Sequence, residues 1–386
     1  MVREDPVKPD LLFAGTETGL YISVNGGKSW EGLQLNLPVT PITDLKIHEN
    51  DLVVATSGRS FWILDDLGLI RQYEGEKKFG IYRPDDTYLG HWYSEMNSNG
   101  ADGMDLFEGV NPPNGLVIYY MLPEEITSEN IRLEIYNSQN NLIRTISSVK
   151  DSTYQRYDGG PPPPAVLDNE QGINRFVWDM RHETMPGVEG VYIEGSYRGH
   201  KVIPGTYRLV LTNGDESDEV NAVIRNNPRY EVSPETFREY DNFMKKAEED
   251  LAEMHSLVNR LDGAREQIDR ITRNLPQDEE FDELRFKGKL LSQELKEWDN
   301  DMVQRKSKAY DDVENFPNKF TAEFLFMLNQ TESAIPRVNN PSRERYTELM
   351  QQWIPLKDKA EKFLNDEIPE FNKALWDKGI GAINSQ

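Results

Sequence analysis

A change of hydrophobic period near Ser233 is the feature that most constrains the fold of this chain. Before it, apolar and polar residues alternate over short runs, which is the period of a half-buried β-strand. After it, apolar residues recur at steps of three and four from Phe237 to Leu261, which is the period of a helix with one buried face. Ser233 followed by Pro234 suits a helix start, with serine as the N-cap and proline in the first turn. The chain must therefore join a β-rich part to a separate helical part.

The region after this change is predicted to form an antiparallel helical bundle over residues 232–386. Further apolar repeats at helical spacing follow the first one, over 281–302, 320–328 and 346–375. Short links that contain proline or asparagine separate them, as in bundles with antiparallel neighbours. Pro355 and Pro369 lie within the last repeat and are expected to kink or interrupt its helix.

Residues 1–71 predict about six short strands in two groups of three. Glycine-containing turns separate β-rich runs such as Leu20-Tyr21-Ile22-Ser23 and Ser60-Phe61-Trp62-Ile63-Leu64. Short strands at regular spacing, with an aromatic-and-glycine motif, are typical of β-propeller blades. We interpret this segment as a partial β-propeller, comprising the last one or two blades.

The middle of the chain is predicted to contain a connector and an immunoglobulin-like β-sandwich. Residues 72–114 are rich in Gly, Asn, Asp and Pro without clear periodicity, and form the connector. Alternation returns over 115–228, where Ile131, Leu133 and Ile135 share one strand face. About seven strands in some hundred residues favour a sandwich.

The composition limits the partners of the chain. Its 386 residues carry a formal net charge of −24 and include no cysteine. An acidic surface repels phosphate backbones, so nucleic acid is not expected as a partner, and neither disulfides nor thiolate chemistry can occur. No apolar run reaches the ~20 residues of a membrane helix. The first residues lack the apolar stretch of a signal peptide, so either the protein stays inside the cell or its signal lay upstream.

The run Ser23-Val24-Asn25-Gly26-Gly27-Lys28-Ser29-Trp30 is the clearest local motif. Asparagine can hydrogen-bond turn amides, the glycines can supply positive φ, and the tryptophan can pack over the hairpin. The run lacks the upstream glycine of a phosphate-binding loop and opens no helix. It resembles the Asp-box of bacterial neuraminidase repeats, with Asn25 at the usual aspartate position. The resemblance implies a structural role for Ser23, Asn25, Gly27 and Trp30.

The sequence offers little evidence for a metal or catalytic site. The five histidines are His48, His91, His182, His200 and His255, and no two of them have metal-ligand spacing, so each is expected to be incidental. Oxygen ligands spaced as in calcium loops occur at Asn97, Asn99, Asp102 and Asp105, without the bidentate glutamate of an EF-hand. These four residues form a weak calcium candidate, and no other cofactor is expected. No set of residues suggests catalysis.

The order of the three parts resembles one bacterial family. The run 56–67 after an Asp-box is similar to the closing blade of exported, sortilin-like propeller proteins with BNR repeats, often described as glycosyl-hydrolase-like. The runs 172–181 and 204–207 are similar to the immunoglobulin-like domain of flagellar hook-capping proteins, and the helical tail resembles the C-terminus of the same family. A complete propeller has more blades, so any sialidase-type catalytic residues of the family would lie outside this chain.

Two functions follow as expectations. In the first, the chain is a non-catalytic interaction or scaffolding region of an exported propeller protein. Its open N-terminal strand edges would bind a protein partner, an envelope partner or the remaining blades. In the alternative, it is an accessory C-terminal fragment of a sialidase-like glycoside hydrolase. A weaker possibility is glycan binding through exposed aromatics such as Tyr192 or Tyr197. The resemblance implies a periplasmic, outer-membrane-associated or secreted location, and a cytoplasmic one stays open.

Overall fold

The computed structural model describes residues 1–73, 78–90, 113–123, 130–332 and 337–384. These residues form mainly antiparallel sheets and helices, which confirms the predicted mixture of β and α structure. The chain divides into two compact units. Unit 1 comprises Met1–Val149, Val166–Asp179 and Gly205–Arg225. Unit 2 comprises Lys150–Ala165, Met180–Pro204 and Asn226–Gln386.

The strands belong to unit 1 and precede the long helices in sequence. They are β1 (Val2–Glu4), β2 (Leu12–Gly15), β3 (Leu20–Ser23), β4 (Glu31–Gly32), β5 (Ile42–His48), β6 (Asp51–Thr56), β7 (Phe61–Leu64), β8 (Gly80–Ile81), β9 (Thr87–Tyr88), β10 (Leu116–Leu122), β11 (Ile131–Tyr136), β12 (Leu142–Ser147), β13 (Gly172–Trp178), β14 (Gly205–Asn213) and β15 (Glu216–Arg225).

Two small sheets at the start of unit 1 share one apolar core. Their strand orders are β1-β2-β3-β4 and β5-β6-β7, and all neighbouring strands are antiparallel. Leu11, just before β2, and Phe13 on β2 are buried together with Leu45 and Leu52 from the second sheet. The short helix α1 (Leu67–Gln72) adds Leu67 to this core. Strands are confirmed in this region, but they number seven, in sheets of four and three, and not about six in two groups of three.

Two further sheets complete unit 1, with strand orders β13-β10-β8 and β12-β11-β14-β15-β9. The predicted alternation is confirmed, because Ile131, Leu133 and Ile135 on β11 are all buried. The ring of Trp178 on β13 meets the ring of Tyr207 on β14 edge-on, with 5.6 Å between the centroids. The residues that alternate with Ile131, Leu133 and Ile135 on β11 lie on the other face of the strand and stay accessible, as expected for a strand with one buried face.

The helices of unit 2 are α2 (Pro234–Asn274), α3 (Asp282–Met302), α4 (Phe320–Thr331), α5 (Asn340–Lys362) and α6 (Ile368–Asp377). The predicted start of α2 is confirmed, since the Ser233 hydroxyl accepts a hydrogen bond from the Thr236 amide. Its predicted apolar stripe is buried from Phe237 to Leu261. Among the described residues, no helix has the length and apolarity to cross a membrane.

The two prolines of the last repeat behave differently from each other. Helix α5 continues through Pro355 to Lys362, so the helix is not interrupted there. Trp353 and Ala360 lie on either side of this proline and are both buried in the core of unit 2, which holds the two halves of the helix together. Pro369 instead lies in the first turn of α6, after a π-helical turn at Phe363–Glu367. A proline in the first turn destabilises a helix little, because the amides of that turn have no hydrogen-bond partner within the helix.

The segment Met180–Pro204 belongs to unit 2 with the long helices, although the strands that flank it in sequence belong to unit 1. Val188, Val191 and Ile193 are buried in the same core as Leu251 of α2. Strand patterning does not reveal this placement, because the segment falls inside the predicted sandwich of 115–228. The bounds of the four predicted segments stay a prediction.

Candidate functional site

The outer face of the β5–β7 sheet is an exposed apolar surface on unit 1. Phe61 and Ile63 on β7 are 74% and 60% exposed. The register places Ala55 of β6 beside Phe61, and Val53 beside Ile63. These four residues, the β7 outer face, therefore form a continuous apolar patch on one side of the sheet. Trp62 and Leu64 alternate with them and pack on the inner core.

The polarity of this face changes along the sheet. On β5, Asp44 and Lys46 lie beside Ala55 and Val53 respectively, and both are exposed. The charged side is thus at β5, and the apolar side is at β7. Strand β7 ends the order β5-β6-β7, so no described strand pairs with its outer edge. Edge strands of isolated domains usually carry charge or proline that blocks pairing, which β7 lacks.

The residues of the predicted Asp-box form a tight turn between β3 and β4. The Ser23 hydroxyl accepts a hydrogen bond from the Gly27 amide at 2.9 Å. The Asn25 side-chain oxygen accepts one from the Ser29 amide at 3.0 Å, and another from the Ser23 hydroxyl. These contacts are internal to the turn, as in Asx turns.

Glycine is favoured in this turn by its backbone conformation. Gly26 and Gly27 have φ values of 67° and 85°, in the left-handed region that other residues rarely adopt. The Trp30 ring lies over Gly27, where a Cβ atom would make an ordinary contact with it at 3.7 Å. The geometry is compatible with the structural role proposed for Ser23, Asn25, Gly27 and Trp30. Their assignment to an Asp-box stays a prediction.

The loop predicted as a weak calcium site is not among the described residues. Asn97, Asn99, Asp102 and Asp105 all lie outside the described residues.

A cluster of two histidines and two carboxylates lies in unit 2. His182 and His200 come from the segment Met180–Pro204, where the His182 amide donates to the His200 carbonyl at 3.0 Å. Their rings stack with 4.0 Å between centroids and 15° between planes. Asp241 and Glu248 are contributed by α2, about two helical turns apart and therefore on the same face of that helix. We call these four residues the His–Asp cluster.

The two imidazoles converge on one carboxylate oxygen. Asp241 Oδ1 lies 3.4 Å from His182 Nε2 and 3.2 Å from His200 Nε2. On the other side of His200, Glu248 Oε2 lies 2.9 Å from Nδ1, and Glu248 Oε1 accepts the His200 amide at 2.7 Å. His200 is fully buried, whereas the side chains of His182 and Asp241 keep part of their surface accessible. His182 and Asp241 therefore form the less buried side of the cluster.

The electrostatics of the cluster are strongly perturbed. Burial acts to lower the pKa of His200, but its hydrogen bonds to Asp241 and Glu248 outweigh burial and raise the pKa to about 9. Burial lowers the pKa of His182, and the neighbouring His200 lowers it further. Burial acts to raise the pKa of Asp241, but hydrogen bonds from both histidines hold it well below its usual range. Such opposed shifts in one cluster are common at functional sites.

The expectation that every histidine is incidental stays a prediction, but the sequence did not reveal that His182 and His200 lie together. Their separation along the chain has no metal-ligand spacing, so only the fold of Met180–Pro204 brings them together. The sequence does contain one indication that Asp241 and Glu248 need partners. Asp241 and Glu248 are acidic residues beside the apolar stripe of α2, and Tyr240 from that stripe packs edge-on against His200. Carboxylates at the border of a buried face need a polar or cationic partner.

His255 is a second buried histidine of unit 2, with a different environment. Its Nδ1 lies 2.8 Å from the Pro186 carbonyl, and its Nε2 has no hydrogen-bond partner among the described residues. Burial lowers the pKa of His255 to about 4, although the Pro186 carbonyl opposes this shift. Protonation of Nε2 would create a buried charge, and no described group is placed to accept a hydrogen bond from it.

This environment predicts a loss of stability in mild acid. The folded-state pKa lies below the ordinary value of 6.5, so the unfolded chain binds the proton more readily between the two values. The free energy of unfolding is therefore expected to fall by about 2 kcal/mol between about pH 7.5 and about pH 5 from this group. Urea unfolding followed by circular dichroism of the helices, which lie mainly in unit 2, measures it.

His255→Gln should remove this part of the pH dependence, because glutamine can still donate to the Pro186 carbonyl but does not titrate. The matched control is His48→Gln, which changes an exposed histidine of unit 1. An unchanged pH dependence in His255→Gln would contradict the assignment.

The aromatic residues suggested for glycan binding are not presented as an exposed platform. Tyr197 is buried in the core of unit 2, where its ring lies 5.8 Å from that of His255, and Tyr192 is half-buried. Tyr197 is therefore a core residue.

No protein-family model and no curated protein matches this sequence.

Proposed function

We propose that the chain is a non-catalytic interaction region of an exported protein, and that unit 1 binds another β-sheet through the β7 outer face. The observation that supports this is the exposure of Phe61 and Ile63 together on a strand without a neighbour among the described residues. Scattered exposed apolar residues are ordinary on protein surfaces, but a continuous patch with an open strand edge favours a binding surface.

The chemistry of the patch favours a β-sheet as the partner. Val53, Ala55, Phe61 and Ile63 alternate along two adjacent strands, as do the buried residues on the opposite face of the same sheet. Sheets that pack face to face present such alternating apolar residues to each other at about 10 Å. The free edge of β7 can in addition accept a strand through backbone hydrogen bonds.

The finer architecture belongs to this proposal. The sheets β1–β4 and β5–β7 would be adjacent propeller blades, and β8–β15 would form an immunoglobulin-like sandwich. The helices α2–α6 would form an antiparallel bundle. In a propeller, each blade packs its faces on its neighbours, so a terminal blade leaves one apolar face uncovered. The β7 outer face is the face that a further blade, or a blade-like sheet of a partner, would cover.

The isolated chain is expected to self-associate through this face. A double change Phe61→Lys and Ile63→Lys should shift the chain to a monomer, because burying two lysines in an apolar interface is unfavourable. Size-exclusion chromatography with light scattering measures the mass. The free energy of unfolding of the monomer should change by less than about 0.5 kcal/mol, since both side chains are largely exposed.

The matched control is Val39→Lys, which changes an exposed apolar residue of unit 1 outside the strands. It should leave the mass unchanged. A monomeric parent chain that recovers no partner from an envelope extract would oppose the proposal, and so would an assembly that the double change leaves intact.

A further inference from the structure

A cavity of about 650 Å³ lies between α4 and α5 of unit 2. One side of it is a single face of α4, because Glu323, Phe326, Met327 and Gln330 are three, four and seven positions apart along that helix. The start of α5 and the residue before it supply the other side. The volume falls within the range of about 300–1,000 Å³ that is usual for ligand sites.

The apolar part of the lining favours a large apolar group as the occupant. Phe326, Met327 and Pro341 supply it. Phe326 is 60% exposed, whereas the other large apolar residues of α4 are buried. An aromatic ring that already has few rotamers offers apolar contact area at a small cost in conformational entropy.

The charged part of the lining favours an uncharged occupant. Its two charged residues are Glu323 and Arg345, which form an ion pair with each other. Arg345 also donates from Nη1 to Glu348 at 3.1 Å. Each charge of the lining therefore has an opposite partner, and a charged group in the cavity would have to compete with an existing ion pair.

The uncharged polar part of the lining suits a peptide backbone. The side-chain amides of Asn318 and Gln330 make no hydrogen bond within the part of the chain that the structure describes. Asn339 uses its side-chain oxygen to accept the Ser342 amide at 2.8 Å, which leaves its amide nitrogen to donate. Side-chain amides both donate and accept, as peptide groups do. The face of α4 from Glu323 to Gln330 is about 10 Å long, the length of about three extended residues.

We propose that this cavity binds a short, uncharged peptide segment of a partner protein, with one large apolar side chain placed against Phe326. The amides of Asn318, Gln330 and Asn339 would hydrogen-bond the backbone on either side of that residue. A central aromatic anchor surrounded by polar contacts is the usual arrangement of a peptide-binding site. The site belongs to unit 2 and is therefore separate from the β7 outer face, which belongs to unit 1.

Titration of the full chain with three blocked peptides, followed by ligand-observed NMR, tests the proposal. The peptide N-acetyl-Ala-Phe-Ala-amide is expected to saturate one site with a Kd of about 1 mM or less, as its size allows. The peptide N-acetyl-Ala-Ala-Ala-amide lacks the ring and should bind at least about 10-fold more weakly. The compound N-acetyl-Phe-amide keeps the ring but lacks the flanking residues, so it should also bind at least about 10-fold more weakly.

Three variants place the binding in this cavity. Phe326→Ala should weaken binding of N-acetyl-Ala-Phe-Ala-amide about 10-fold, and Gln330→Ala about 5-fold. The matched control is Phe286→Ala, which removes a ring that is 68% exposed on α3 and should leave the affinity unchanged. All three side chains are exposed, so the variants should fold, and circular dichroism checks their helices.

The proposal is overturned if the parent chain shows no saturable binding of N-acetyl-Ala-Phe-Ala-amide, or if Phe326→Ala binds it as tightly as the parent. An equal loss in Phe286→Ala would also overturn it, because the peptide would then bind exposed rings without selection. Equal affinities for this peptide and for N-acetyl-Phe-amide would overturn the assignment of a peptide segment as the occupant.

Discussion

Arg71→Met is expected to lower the free energy of unfolding of unit 1 by about 3–5 kcal/mol. Arg71 on α1 donates from Nε and Nη2 to the Asp5 carboxylate, at 2.9 to 3.1 Å. The Asp5 side chain is fully buried and that of Arg71 is nearly so. Methionine has a similar length but no charge, so the variant would leave a buried carboxylate without its cation.

The position of Asp5 makes this loss important for the whole of the N-terminal region. Its Oδ1 also accepts hydrogen bonds from the amides of Val7 and Lys8, so it shapes the connection between β1 and β2. Burial acts to raise the pKa of Asp5, but the hydrogen bonds from Arg71 and these amides outweigh it and lower the pKa. The stabilisation is therefore present at neutral pH and is lost as the pH falls through the lowered value.

Hydrogen exchange of peptides from β1 to β7 in increasing urea measures the effect. Arg225→Met is the matched control, because Arg225 also donates from Nε and Nη2 to a carboxylate, that of Asp86, at an exposed position of unit 1. Exposed ion pairs contribute about 0–1 kcal/mol, so the control should lose far less stability. Equal losses of unfolding free energy in the two variants would show that the buried ion pair stabilises unit 1 no more than the exposed one.

Trp298→Ala is expected to lower the free energy of unfolding of unit 2 by about 3–5 kcal/mol. Trp298 on α3 is fully buried, and its indole N–H donates to the Leu356 carbonyl of α5 at 2.9 Å. Alanine removes the ring from a packed core, leaves a cavity, and leaves that carbonyl without its side-chain donor. Both effects act in the same direction.

Two further variants separate the contributions. Trp298→Phe keeps most of the apolar ring and loses the hydrogen bond, so it should cost about 1–3 kcal/mol. Trp376→Ala is the control, since Trp376 on α6 is 74% exposed and should change stability by no more than about 0.5 kcal/mol. Urea unfolding followed by circular dichroism compares all three. A loss in Trp298→Ala no larger than that in Trp376→Ala would contradict the prediction.

Patterns that depend on neighbours in sequence were predicted correctly. The alternation at Ile131, Leu133 and Ile135 identified β11, and the step of three and four from Phe237 identified α2. Ser233 was identified as the helix cap because its hydroxyl acts within one turn. In each case the physical cause is local, so a short stretch of sequence contains it.

Features that depend on distant contacts could not be predicted. The outward direction of Phe61 and Ile63 follows from the alternation of β7, but their exposure depends on which side of the sheet the core covers. The meeting of His182 with His200 depends on the path of Met180–Pro204, a segment that has no long strand or helix to reveal its place.

The sequence by itself determined the elements: where strands alternate, where α2 begins, and that the turn at Ser23 favours glycine at Gly26 and Gly27. These follow from backbone geometry and from the period of apolar residues, which act over a few positions. The tertiary structure alone decided that Met180–Pro204 joins the helical unit and that its two histidines converge on Asp241. That outcome depends on burial and pairing between residues far apart in the chain, and the local pattern of α2 indicates only that Asp241 and Glu248 need a partner.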